Sequence, residues 1–196
     1  MTINILGIVL IVFTLIICIK IYMDSEDFLL KCIISDVDGK KYCVRERHKL
    51  ELAADLLAKV TERMTKLVKH MEKEYPENPD VQRLVDNYRP NRISETLPTS
   101  TLTAYSENKG QKIAFCLNKS KDGNKLIDLN TLTFVAIHEL GHLMTESVGH
   151  KPEYWSNFKF LLQNAEQINI YQPEDYKSNP KSYCGMEITD NPYFDL

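Results

Sequence analysis

The chain lacks a surplus of charge of either sign. Its formal net charge is −3 over 196 residues, which leaves no basic footprint for nucleic acid and no evident nucleic-acid-binding module. It has no internal repeat and no low-complexity stretch. It also lacks a cysteine framework. The five cysteines, Cys18, Cys32, Cys43, Cys116 and Cys184, are odd in number and show no metal-binding spacing. Cys18 sits within an apolar run, and the other four read most simply as thiols in a reducing compartment. A cleaved secretory signal wants a basic start and a small-residue cleavage site. No Lys or Arg precedes Lys20, and no such site follows the apolar run.

What the N-terminus does have is length. Ile3 to Ile19 is almost wholly apolar, broken only by Asn4, Gly7, Thr14 and Cys18. Such a run spans a hydrocarbon core as a helix. Lys20 can snorkel and Tyr22 can sit at the interface. Residues 1–23 therefore read as an uncleaved single-pass transmembrane anchor, with the membrane as a partner through residues 3–23. Residues 24–196 are enough for one domain with its own core. Lys20, Lys31, Lys40 and Lys41 follow the span, so the positive-inside bias favours a cytosolic domain.

Periodicity orders the rest. Leu29 to Ser35 and Lys41 to Arg45 read as strands around Asp38-Gly39, a type I′ hairpin signal. With those two residues in the turn, Ile34 faces Cys43 and Cys32 faces Arg45. Cys32 and Cys43 are then diagonal, and a disulfide between them is not favoured. His48 to Glu74 reads as one amphipathic helix stopped by Pro76, with a mixed-charge solvated face. Asp80 to Asn87 reads as a short helix, and Arg89 to Thr101 as a connector. Leu102 to Ser106 and Lys112 to Leu117 form a second hairpin around Asn108-Lys109-Gly110. Asn130 or Thr131 then caps a helix running to about Ser147, with Gly149 marking its end.

That helix carries the chemistry. In His138-Glu139-Leu140-Gly141-His142 the two histidines are four apart, so they project from one helical face, one turn apart. Both can bind one Zn²⁺, with Glu139 beside them as general base. A catalytic zinc takes three protein ligands and keeps one open position. His150 is the expected third ligand, because Gly149 permits a turn and neutral imidazole suits zinc. The metzincin spacing would instead put glycine at Thr145 and histidine at Val148. Glu166 is the rival ligand, but it falls about 20 Å along a continuous helix from Glu153. His48 and His70 lie on the long helix, where surface positions are the simpler reading. The strand hairpin before the metal helix offers an edge for an extended peptide. Tyr154, Tyr171, Tyr176 and Tyr183 are candidates to stabilise an oxyanion, against the plainer reading of each as a packed tyrosine. Cys184 as an inhibitory thiolate and Met186 as a turn beneath the metal compete with a buried Cys and a core Met.

The run from His138 to His142, then His150, then Glu153-Tyr154-Trp155-Ser156-Asn157-Phe158, resembles the WLM metallopeptidases and their SprT-like relatives. In those families an aromatic residue follows the third histidine at the start of a helix. Here the helix would run from Glu153 to Leu162, with Trp155 and Phe158 packed inward. The chain is similar in particular to WLM-like metallopeptidases of large double-stranded DNA viruses. That similarity extends to Ala53-Ala54-Asp55-Leu56-Leu57, Glu95-Thr96-Leu97-Pro98-Thr99, Ala104 to Gly110 and Tyr183-Cys184-Gly185. The gap from His142 to His150 is longer than in the common WLM pattern. The resemblance implies an α+β, zincin-like fold with helices on a small mixed sheet, and a virion or host membrane as setting. The combined expectation is a membrane-anchored zinc peptidase acting on a protein or peptide substrate. Its rival is a catalytically silent, membrane-anchored structural or virion scaffold protein.

Overall fold

The structure, a computed structural model, describes residues 5–24, 30–121, 123 and 125–195. It is a mixed α+β arrangement. Helix α1, Ile5–Asp24, is long and apolar enough to cross a membrane, and its side chains from Ile5 to Tyr22 are unburied. A signal sequence near an N-terminus passes the same test of length and composition.

Strands β1 (Leu30–Ile34) and β2 (Lys41–Arg45) form an antiparallel hairpin. Its register differs from the expected one. Cys32 pairs directly with Cys43, and Ser35 N–H donates to the Lys40 carbonyl at 2.9 Å. The loop is therefore Asp36 to Gly39 rather than a two-residue turn. A type I′ turn needs positive φ at both central residues, and in this hairpin only Gly39 has it. Asp38 instead accepts hydrogen bonds from the Lys40 N–H (3.1 Å) and the Tyr42 hydroxyl (2.8 Å). Once opposed, Cys32 and Cys43 form a disulfide. Cys116 and Cys184 form a second one across 68 residues. Cys18 is the one free cysteine among the described residues. The paired thiols run against the expected reducing compartment. They also remove the support that cysteine usage lent to a cytosolic domain.

The hairpin is pinned to the rest by a buried ionic cluster. Glu95 accepts from the Arg45 backbone N–H at 2.7 Å and pairs with the guanidinium of Arg47. Arg45 donates to the Thr96 carbonyl and hydroxyl, both at 2.7 Å, and Arg47 to Asn118 at 2.7 Å. Burial pushes the Glu95 carboxyl up, and the two arginines oppose that shift. Removing one member of such a buried set costs about 3–5 kcal/mol, because the remaining charge is left uncompensated.

Helix α2 spans Leu50–Glu74, within the expected bounds, and buries Leu57, Met64, Leu67 and Met71. Helix α3 is Pro79–Asn87, capped by the Asn78 side chain on the Asp80 and Val81 N–H groups. The expected connector, Arg89 to Thr101, contains a short strand, β3 (Ile93–Glu95). It pairs parallel to β5 (Lys112–Phe115), which pairs antiparallel to β4 (Ala104–Glu107). The order β3-β5-β4 leaves β4 at an edge.

Helix α4, Leu129–Met144, packs on α2, α3 and α5 (Pro152–Gln167). Its cap is Asp128, not Asn130 or Thr131. The Asp128 carboxylate accepts from both the N–H and the hydroxyl of Thr131, each at 2.8 Å. α4 also stops earlier than expected, with Thr145 as C-cap, so Gly149 lies in the following loop with φ 85°. α5 runs one turn further than expected. A last hairpin, β6 (Lys181–Tyr183) with β7 (Met186–Ile188), was not legible in the sequence. Cys184 and Gly185 form its turn, both with positive φ.

Candidate metal centre

The middle of α4 is buried on nearly all sides, which fixes its rotation. Leu132, Ala136, Leu140 and Leu143 face the core. His138 and His142 are thereby turned toward the cleft, where they are partly exposed. The loop after α4 returns His150 to the same place. One ring nitrogen from each of His138, His142 and His150 lies within 4.8 Å of the others. His138 Nε2 and His150 Nε2 are 3.2 Å apart. Two imidazole nitrogens on one tetrahedral Zn²⁺ would be ~3.3 Å apart for normal Zn–N bonds.

Each ring is held from behind. The Tyr154 ring stacks on His142 at 4.5 Å between centroids, and its hydroxyl donates to the His138 carbonyl at 3.2 Å. Gly141 makes room for this, since a Cβ there would lie 3.0 Å from the Tyr154 ring. Trp155 is not packed inward as expected. It is 43% exposed, its ring lies over His150, and its Nε1–H donates to the His150 carbonyl at 3.1 Å. Phe158 does pack inward.

The electrostatics suit a cation. Burial, together with His142 and His150, lowers the His138 pKa to about 3. Burial, His150 and Lys109 lower that of His142 to about 4. Both rings are therefore neutral at pH 7, as metal ligation requires. Glu139 is 3% exposed, and burial raises its carboxyl to about 7 against a hydrogen bond from Ser106. Its Oε2 is buried with no hydrogen-bond partner, an unmet acceptor of the kind that calls for explanation.

Lys109 was not singled out by the sequence beyond its place in a turn. It adopts φ 57°, and its ammonium donates to the carbonyls of His142 (3.2 Å), Thr145 (2.6 Å) and Ser147 (3.3 Å). It thus ties the β4–β5 turn to the end of α4 and the loop carrying His150. The cue in the sequence is a lysine beside Gly110, where φ is 104° and an added Cβ would lie 2.4 Å from the Asn87 carbonyl oxygen.

The other candidates fall elsewhere. Glu166 is outside the histidine cluster and hydrogen-bonds the Tyr193 hydroxyl. His70 pairs with Asn164 at 3.1 Å, and His48 is exposed. The Tyr154 and Tyr183 hydroxyls are engaged by main-chain carbonyls, Tyr183 with Thr103 at 3.0 Å. Tyr171 and Tyr176 pack on Phe134. Cys184 is consumed by its disulfide and cannot be an inhibitory thiolate. Met186 is 49% exposed on the rim rather than beneath the site.

The chain is 29% identical over 162 residues to an uncharacterized protein of Acanthamoeba polyphaga mimivirus, covering 80% of this chain and 81% of that one. It is 33% identical over 82 residues to an uncharacterized protein of Invertebrate iridescent virus 6, covering 41% of this chain and 44% of the relative. A third relative, from Invertebrate iridescent virus 3, is 31% identical over 83 residues, or 42% of this chain and 50% of its own length. No protein-family model matches the chain, and no solved structure matches it.

Proposed function

We propose that this chain is a membrane-anchored zinc peptidase of zincin-like, WLM-type architecture. The observation that carries the reading is the convergence of His138, His142 and His150 beside the unpartnered Oε2 of Glu139. Three imidazoles make a zinc ligand set. Structural zinc sites are closed by four protein ligands, often cysteines, whereas among the described residues the histidine cluster holds three and Cys184 is tied up.

A Zn²⁺ held by these three residues would activate a water and polarise a scissile carbonyl. Glu139 then does the proton work. Its unengaged oxygen accepts the proton from the attacking water and delivers it to the departing amine. Strand β4 supplies the track for the substrate. The Cys116 N–H donates to the Thr103 carbonyl, so antiparallel alternation turns the backbone groups of Ala104 and Ser106 away from β5. An extended peptide can add to that edge by main-chain hydrogen bonds. The apolar α1 serves as the anchor, and the viral relatives fit a virion or host-membrane setting.

The test uses the full chain in phospholipid nanodiscs, loaded with zinc. Wild type should cleave an unstructured protein substrate. Glu139→Gln should bind zinc equally and lose at least about a thousandfold in rate, the upper part of the range for a lost general base and more. Equal, absent cleavage in both proteins would favour the scaffold reading. Equal, measurable cleavage in both would remove Glu139 from the mechanism.

A further inference from the structure

We propose that an apolar cavity next to the metal site selects peptides bearing one bulky apolar side chain beside the cleaved bond, and that the C-terminal hairpin sets this selection. The inference rests on the peptidase reading and names its substrate class. The cavity, about 280 Å³, reaches His138 and Glu139 and is walled by Val135, Phe158, Trp155, Met186, Ile188 and Pro192. That is at the lower limit for small-molecule sites, and suits a single large side chain. Several polar groups around it are engaged, and Glu139 is the general base rather than part of the apolar wall. The Thr103 carbonyl accepts from Tyr183, the Thr103 hydroxyl lies 3.4 Å from the Met186 sulfur, and Asp190 pairs with Lys177 at 3.1 Å. A carboxylate side chain entering here would lose its hydration beside the carboxyl groups of Glu139 and Asp190.

The position of the cavity fixes the kind of occupant. Ala104, on the free edge of β4, lines this cavity together with His138 and Glu139. The same three residues line a second, more polar opening that includes Ser106, Lys109 and His150. A chain extended along β4 therefore crosses the metal site between the two openings. Alternate side chains of an extended strand point to opposite faces, so one residue next to the crossing point can drop into the apolar cavity.

The hairpin that forms the lip is firmly held. The Cys116–Cys184 disulfide joins its turn to the end of β5. The Cys184 and Gly185 N–H groups donate to the Asn118 and Lys119 carbonyls at 2.9 and 3.0 Å. Met186 and Ile188 are thus presented by a braced wall, where their size and polarity control what enters.

Trp155 is the only tryptophan in the chain and lines the cavity, so its emission reports occupancy. The protein is full-length Glu139→Gln, zinc-loaded and in nanodiscs, so a peptide binds without turnover. Blocked hexapeptides of glycine carrying one Leu or one Asp are titrated in. The Leu peptide should shift Trp155 emission saturably, and the Asp peptide should bind at least about tenfold more weakly, as expected for a mismatched apolar pocket. Met186→Asp, at an exposed rim position, should weaken the Leu peptide by about tenfold, and Met186→Leu should restore it. Equal responses to Leu and Asp would overturn the proposal. So would a response to decanoate with none to either peptide, which would make the cavity an acyl-chain site. Cleavage of both peptides by wild type at equal rates sinks the pocket alone. Selective Leu binding with no cleavage by wild type sinks the peptidase reading alone.

Discussion

Replacing Lys109 by Met should loosen zinc without unfolding the domain. The ammonium of Lys109 donates to three carbonyls, at His142, Thr145 and Ser147. The His142 carbonyl lies in the last turn of α4, where carbonyls lack helical partners, and the other two follow it; a cation near a helix C-terminus is favourable. A hydrogen bond to a charged donor contributes about 1.5–3 kcal/mol when enclosed. These three are partly exposed, so water replaces much of each, and about 2 kcal/mol in total is the reasonable sum. That energy holds the segment from Thr145 to His150 against α4. Its loss therefore falls on the third ligand, and zinc should dissociate about 30-fold more readily, at tenfold per 1.4 kcal/mol. The assay is competition with a chromogenic chelator on the full chain, with thermal unfolding of the metal-free protein as control. Lys109→Arg keeps the charge and should recover part of the affinity. A Met variant whose zinc affinity is within twofold of wild type would refute the reasoning. A Met variant that loses zinc only because the metal-free domain has unfolded would refute it too.

The remaining expectations are simpler. His150→Ala should lose most of its zinc and Glu166→Ala should keep it, read as metal stoichiometry of the purified proteins; the reverse result would move the third ligand to α5. Asp128→Ala should cost about 1 kcal/mol in chemical unfolding, the usual value of an N-cap. Burial pushes the Asp128 carboxyl up, but the Thr131 N–H and hydroxyl outweigh it and hold the pKa below its ordinary value. The cap's contribution should then be fully present above about pH 4 and be lost as pH falls further, through the folded-state value. Asp128→Asn should flatten that acid limb, and an unchanged limb would exclude Asp128 as its source. The full chain should fractionate with membranes and resist carbonate extraction through α1; recovery in the soluble fraction, or a mature N-terminus near Asp24, would defeat the anchor.

Much of this protein was decided by local pattern. The apolar run from Ile5 to Ile19 needs no tertiary partner to be a helix. The four-residue spacing of His138 and His142 is a property of helical geometry alone. The apolar periodicity of α2 and the stop at Pro76 belong to the same class, as does the Asn108-Lys109-Gly110 turn, where Asn108 and Gly110 suit positive φ. Other features depended on groups distant in the chain. The register of β1 and β2 differs from the one a two-residue Asp38-Gly39 turn implies, because Asp38 is occupied by Lys40 and Tyr42. A shift of two in the pairing sum then made Cys32 and Cys43 opposite rather than diagonal. β3 is three residues long and exists by pairing parallel to β5 and by burying Glu95 between two arginines. Cys116 and Cys184 are 68 residues apart, so their proximity is a consequence of folding rather than of spacing. The same holds for the third histidine. His150 was expected from nearness and chemistry, but its approach to within 3.2 Å of His138 needs Trp155 above it and Lys109 across the loop. Sequence specifies which side chains a helix presents on one face; only the packing of α4 against α2, α3 and α5 specifies which way that face looks, because burial of the apolar remainder sets the rotation.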